Sequence, residues 1–212
     1  MSEQINLSDM TKVSLADIKQ MVLDAKDILE ENAADHGTSL KVYFHWTAGH
    51  YRQVFADYHM SIIDDGGIYI PSEDLTITRN HTYYRNHGSI GIGICACVGA
   101  VSNDLGEEPP TDAQIESIAM ITAVISEALG TEVTIENYMT HGEAADNLDG
   151  YDPGYPDHTG YEGNIYGPDS TCERWDLAIL KNGDEWKSGG DIIRGKANWY
   201  LQEYKDGVEN HF

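Results

Sequence analysis

A chain of 212 residues is long enough for one sizeable hydrophobic core, and at 41% hydrophobic and 23% charged its composition is that of a globular protein. A formal net charge of -23 argues against nucleic acid as a partner, because phosphate binding relies on Lys and Arg, and against adhesion to anionic membranes. No apolar run approaches the length of a transmembrane helix, and residues 1–10 show neither the basic nor the apolar region of a secretory signal.

In chain order, residues 1–13 carry no clear periodicity and read as a loose N-terminal arm. From Ser14 the pattern turns helical, with Ile18, Met21, Val22, Ala25, Ile28 and Leu29 on one stripe. Ser14 and Asp17 form the N-terminal signature and Gly37 the stop. Residues 41–46 read as a strand with Val42, Phe44 and Trp46 on one face and Tyr43 and His45 on the other. Thr47-Ala48-Gly49 then takes the chain off the sheet. Two runs, 58–63 and 68–70, flank Asp64-Asp65-Gly66-Gly67 and predict a hairpin. The polar segment 72–88 reads as a loop. The strand that follows, 89–98, sets Ile90, Ile92, Ile94, Ala96 and Val98 against a face of small residues: Ser89, Gly91, Gly93, Cys95 and Cys97. Two glycines on that face point to close approach by another element or a ligand.

Glu107-Glu108-Pro109-Pro110 breaks the chain before a second helix, which opens on Thr111 and Gln114 as a capping box and ends at Gly130. A short strand near 133–139 leads to Thr140-His141-Gly142-Glu143. Residues 149–171 form an insertion rich in Gly, Tyr, Pro and Asp, order resumes at 175–180, and a last helix covers about 191–204. The interleaving predicts a single α/β domain over 1–212, with a central mixed β-sheet flanked by helices. The three cysteines, Cys95, Cys97 and Cys172, make no disulfide framework and fit synthesis in a reducing cytoplasm. Cys95 and Cys97 read as core residues, since no base is recognisable for them.

Three side chains carry candidate chemistry: His45, His141 and Asp176, each beside the end of a hydrophobic stretch. Two histidines and a carboxylate suit zinc with a fourth position left open, although no HExxH motif is present and spacing alone does not assign them. The acid-rich 149–169 stretch lacks the ordered ligand spacing of a calcium loop.

Several motifs resemble the zinc-dependent N-acetylmuramoyl-L-alanine amidase family that includes phage lysozyme-type amidases and the peptidoglycan recognition proteins. They are Phe44-His45-Trp46-Thr47-Ala48, then Tyr58-His59 running to Asp64 with Gly66 and Gly67, then His81 to Asn86-His87-Gly88-Ser89-Ile90-Gly91-Ile92. Thr111 with Gln114, His141, and Arg174-Trp175-Asp176 complete the set. The resemblance implies an amidase-like α/β fold with Zn²⁺ held by His45, His141 and Asp176. It implies Tyr58 and Arg174 as donors to the developing oxyanion, and His81, Asn86 and His87 as substrate contacts on the cleft wall. His59, facing away from Tyr58, reads as structural.

The chain departs from the pattern in three ways. Gly93 stands where some relatives carry a glutamate, leaving Glu143 to substitute as acid/base or to serve as a surface or supporting carboxylate. Arg174 stands where many relatives have lysine and reads as an electrostatic stabiliser. Between His141 and Asp176 lie 34 residues, and the insertion among them is either a lid or substrate rim or a disordered excursion.

The implied activity is zinc-dependent hydrolysis of the bond between N-acetylmuramic acid and L-alanine, with peptidoglycan as the partner. The implied setting is a phage or prophage endolysin made without a signal peptide, or an enzyme acting on cytoplasmic muropeptides. The rivals are a peptidoglycan-binding module without hydrolysis and a zinc hydrolase of another amide on the same fold.

Overall fold

The computed structural model describes residues 4–101, 104–146, 148–149 and 175–205. Ser14 starts the first helix for a local reason. Its hydroxyl accepts the Asp17 N–H while the Asp17 carboxylate accepts the Ser14 N–H, closing a capping box over α1 (Leu15–Asp35). The stripe Ile18, Met21, Val22, Ala25, Leu29 and Ala33 is buried. Ile28, expected among them, is 50% exposed; it falls about 80° round the helix from Ile18, at the edge of the stripe.

The arm expected to be loose contributes two short strands joined by a 3-10 turn. β1 (Gln4–Ile5) pairs antiparallel with β4 (Val54–Phe55), and β2 (Thr11–Val13) pairs antiparallel with β6 (Ile68–Ile70). Two and three residues are too few for alternation to show in the sequence, so only the partner strands define these edges. The remaining strands are β3 (Lys41–Trp46), β5 (Met60–Ile62), β7 (Ser89–Ile94) and β8 (Tyr138–Thr140). The main sheet runs β2-β6-β5-β7-β3-β8. β5, β7, β3 and β8 are mutually parallel, while β6 runs antiparallel to β5 and to β2. The β5–β6 hairpin matches the sequence expectation, as does α2 (Asp112–Leu129), whose capping box is Thr111 with Gln114 and whose C-cap Gly130 is left-handed at φ 72°. The strand expected over 133–139 shrinks to β8.

The two sheet faces have different jobs. Val42, Phe44, Trp46, Met60, Ile62, Ile90, Ile92 and Ile94 join the buried stripes of α1 and α2 in one hydrophobic core. Ile193, Ala197 and Tyr200 of α4 (Gly189–Lys205) complete it. The opposite face carries Tyr43 and His45 on β3 and Met139 on β8, beside the small residues Gly91 and Gly93. Cys95 and Cys97 are buried free thiols; burial pushes Cys95 up to about 12 and raises Cys97 as well, so neither is a thiolate.

Candidate metal centre

His45 is the fifth residue of β3, and register sets it opposite Gly93 on β7. β8 runs along the other side of β3 and passes straight into the short helix α3 (His141–Ala145), so His141 emerges one step beyond the Phe44–Thr140 pair. Thr140 is the N-cap of α3, its hydroxyl accepting the Glu143 N–H, and this turn aims His141 back toward His45. Asp176 arrives from a turn bonded to the same helix: its carbonyl accepts the Gly142 N–H at 3.3 Å, and the next residue, Leu177, is buried at φ 57°. A buried leucine in the left-handed region is a strained conformation held by its surroundings. The site thus lies at the carboxyl ends of central parallel strands, where open α/β sheets place their ligands.

The three side chains meet in a nearly equilateral triangle. His45 Nδ1 is 3.2 Å from His141 Nδ1 and 3.3 Å from Asp176 Oδ2, and His141 Nδ1 is 3.2 Å from Asp176 Oδ2. Ligands at about 2.0–2.1 Å from a tetrahedral zinc lie about 3.3–3.4 Å apart, so the triangle has the dimensions of three corners of such a site. All three residues are buried, and Asp176 Oδ1 has no hydrogen-bond partner among the described residues. Burial raises the Asp176 carboxyl, but the adjoining imidazoles, His141 first and then His45, outweigh it and hold it at about 2. The donor set therefore fits a divalent cation: two imidazole nitrogens and an ionised carboxylate oxygen converge on one point.

Around the triangle, the structure redistributes the expected roles. The Tyr58 ring lies 5.3 Å from the His45 ring, centroid to centroid, and its hydroxyl donates to Trp46 O at 3.3 Å. It occupies the space over Gly93, where an added Cβ would come within 2.8 Å of it. The two small residues on this face are thus explained: Gly93 seats Tyr58, and Gly91 seats His81, whose ring would be 2.5 Å from a Cβ there. His81 is buried beside His45, with its nitrogens near Thr82 Oγ1 (2.9 Å) and Ser89 Oγ (3.3 Å). Burial, then the neighbouring imidazoles and Arg79, push it well below its ordinary range and keep it neutral. His59 is structural, accepting the Gly91 N–H at Nδ1 and bonding Ile77 O through Nε2.

Three other expectations change. Asn86 directs its Oδ1 to the backbone N–H groups of His81 and Thr82, at 3.0 and 2.8 Å, so this oxygen holds the loop. His87 stacks on His36 at 3.8 Å, beside the C-terminus of α1 on the other face of the sheet, because Gly88 carries the chain against Ala33. Its expected place on the cleft wall is therefore corrected. Glu143 is not aimed at the triangle. Its carboxylate accepts the Thr140 N–H at 2.8 Å and a bidentate pair from Arg194 of α4 at 2.8 and 2.7 Å, all buried. Both oxygens are committed to joining α3 to α4, which removes it as the substitute acid/base. Arg174 and the insertion lie outside the described residues apart from Asp149, which is bound bidentately by the buried Arg85 at 2.7 and 2.9 Å. Arg85, Arg194 and Thr82 escaped the sequence reading because polar residues in loops and late helices show no period.

An α/β sheet with a buried His₂–Asp triangle at its carboxyl edge presents a donor set able to coordinate a metal ion. The sequence profile described as N-acetylmuramoyl-L-alanine amidase matches residues 24–155, well over half of the chain, and the chain belongs to that family. The match takes in His45 and His141 and stops short of Asp176, so the third corner rests on geometry. Searches of curated proteins and of solved structures return no match.

Proposed function

We propose that the protein is a zinc-dependent amidase that hydrolyses the bond between N-acetylmuramic acid and L-alanine in peptidoglycan. The observation that carries the reading is the His45–His141–Asp176 triangle, in a chain of this family, with the spacing of zinc ligands. Bound there, zinc supplies a Lewis acid that polarises an amide carbonyl and lowers the pKa of water to about 7. The chain's own residues supply the rest. His45, His141 and Asp176 fix the ion. The Tyr58 phenol, rigid over Gly93 and exchanging its bond to Trp46 O, donates to the oxygen that gains charge. Arg174 adds a permanently charged donor from the residue two before Asp176 in the chain. One such donor is worth on the order of 3 kcal/mol in the transition state.

The test is a product assay on purified sacculi and on soluble muropeptides, with zinc-loaded wild type and His45→Ala. Release of free peptide stems by the wild type alone supports the reading. Equal activity in both proteins, or none in either, overturns it; muropeptide binding without cleavage indicates a recognition module instead, and cleavage confined to another amide indicates a different substrate. The endolysin setting belongs to the same proposal. Cleavage of intact sacculi supports it, whereas activity on soluble muropeptides alone points to recycling.

A further inference from the structure

The segment 81–89, which leads into β7, contains a hydrogen-bond chain whose direction can be worked out from its far end. Ser89 Oγ lies 2.7 Å from Arg85 O, a carbonyl that only accepts, so the single hydroxyl proton of Ser89 points there. Its contact with His81 Nε2 at 3.3 Å must then run from nitrogen to oxygen, which puts the His81 proton on Nε2 and leaves Nδ1 as an acceptor. Thr82 Oγ1, 2.9 Å away, donates its proton to that nitrogen. With its proton so placed, Thr82 Oγ1 can only accept from His45 Nε2 at 3.2 Å. His45 is thus the Nε2–H tautomer, and its unprotonated Nδ1 faces His141 and Asp176.

We propose that Thr82, with His81 and Ser89 behind it, is the positioning residue of the metal centre: the chain from the Arg85 carbonyl to His45 fixes the tautomer that offers Nδ1 to the ion. The inference rests on the zinc reading given above and deepens it. Elsewhere on the loop, Asn86 Oδ1 holds the N–H groups of both His81 and Thr82, so the donor and acceptor are set by backbone as well as by side chain. Partners of this outer kind orient ligand imidazoles and raise their basicity, and losing one typically costs 10- to 100-fold in metal affinity.

The experiment is a zinc titration of the full chain against a competing chelator, comparing wild type, Thr82→Val and Thr82→Ser. Valine keeps the shape and removes the hydroxyl; serine keeps the hydroxyl. The expected result is zinc affinity about 10- to 100-fold weaker in Thr82→Val and within about threefold of wild type in Thr82→Ser. Equal affinity in the valine variant, or an equal loss in both variants, overturns the positioning role. A wild type that takes up no zinc overturns the metal reading itself, so the two failures are distinguishable. Independently of any variant folding, long-range ¹H–¹⁵N spectra of the zinc-loaded wild type should show His45 and His81 protonated at Nε2. A His45 proton on Nδ1 overturns the proposal.

Discussion

At the scale of single residues, the proposed metal centre depends on atoms already in place in the fold. Asp176 is the most informative of the three candidate ligands, since it lies past the insertion and outside the family match. Asp176→Asn should abolish stoichiometric zinc uptake. With free zinc at about 100 times the wild-type dissociation constant, wild type should gain about 2.7 kcal/mol of stability from the metal and the variant none, which melting curves with and without chelator would show. Gly93 tests the placement of Tyr58. A methyl group there would come within 2.8 Å of the ring, so Gly93→Ala should cost about 1–3 kcal/mol of stability and displace the phenol. Hydrolysis should fall while zinc affinity stays near that of wild type, a separation that assay and titration on one preparation would reveal.

Between elements, the joint of α3 and α4 matters most. Glu143 and Arg194 form a buried bidentate pair, and Arg194 also bonds Tyr138 O at the start of β8 and Asp191 on its own helix. Burial alone would lower the Arg194 pKa, but Glu143 and Asp191 outweigh it and raise it. Breaking a buried pair from one side typically costs about 3–5 kcal/mol, because the remaining charge loses its partner. Glu143→Ala should therefore lower denaturant stability by roughly that amount. An acid/base role would instead leave stability intact and remove activity, so urea melts with rate measurements discriminate the two. The glutamate was legible in the sequence only as a carboxylate near His141; its partner lies 51 residues on in a helix whose approach to α3 no local pattern encodes.

For the whole molecule, the buried imidazoles tie stability to pH. Burial, then Arg79, pushes His59 down to about 4 from an ordinary 6.5. Between those values the unfolded chain binds more protons than the folded one, so stability rises with pH across the window. The contribution is fully present above pH 6.5 and is lost as pH falls through 4, and for His59 alone it amounts to about 3 kcal/mol. His81 shifts in the same direction and adds to the slope. Denaturant melts from pH 7 to pH 4 should show the loss, and His59→Gln should flatten part of it; an unchanged slope in that variant would assign the acid sensitivity elsewhere.

The sequence by itself determined the helices and the central strands, because capping boxes at Ser14 and Thr111 and the apolar periods of α1, α2, β3 and β7 are local signals. It also singled out His45, His141 and Asp176, through strand-end placement and family resemblance. Tertiary structure alone decided that these three atoms stand 3.2–3.3 Å apart, since that distance follows from the β7-β3-β8 order and from a turn tied to Gly142. It also decided which polar neighbours serve the site. Thr82 reaches His45 and Glu143 reaches Arg194 because strands and helices far apart in sequence pack there, and hydrogen bonds between such elements leave no period in the chain.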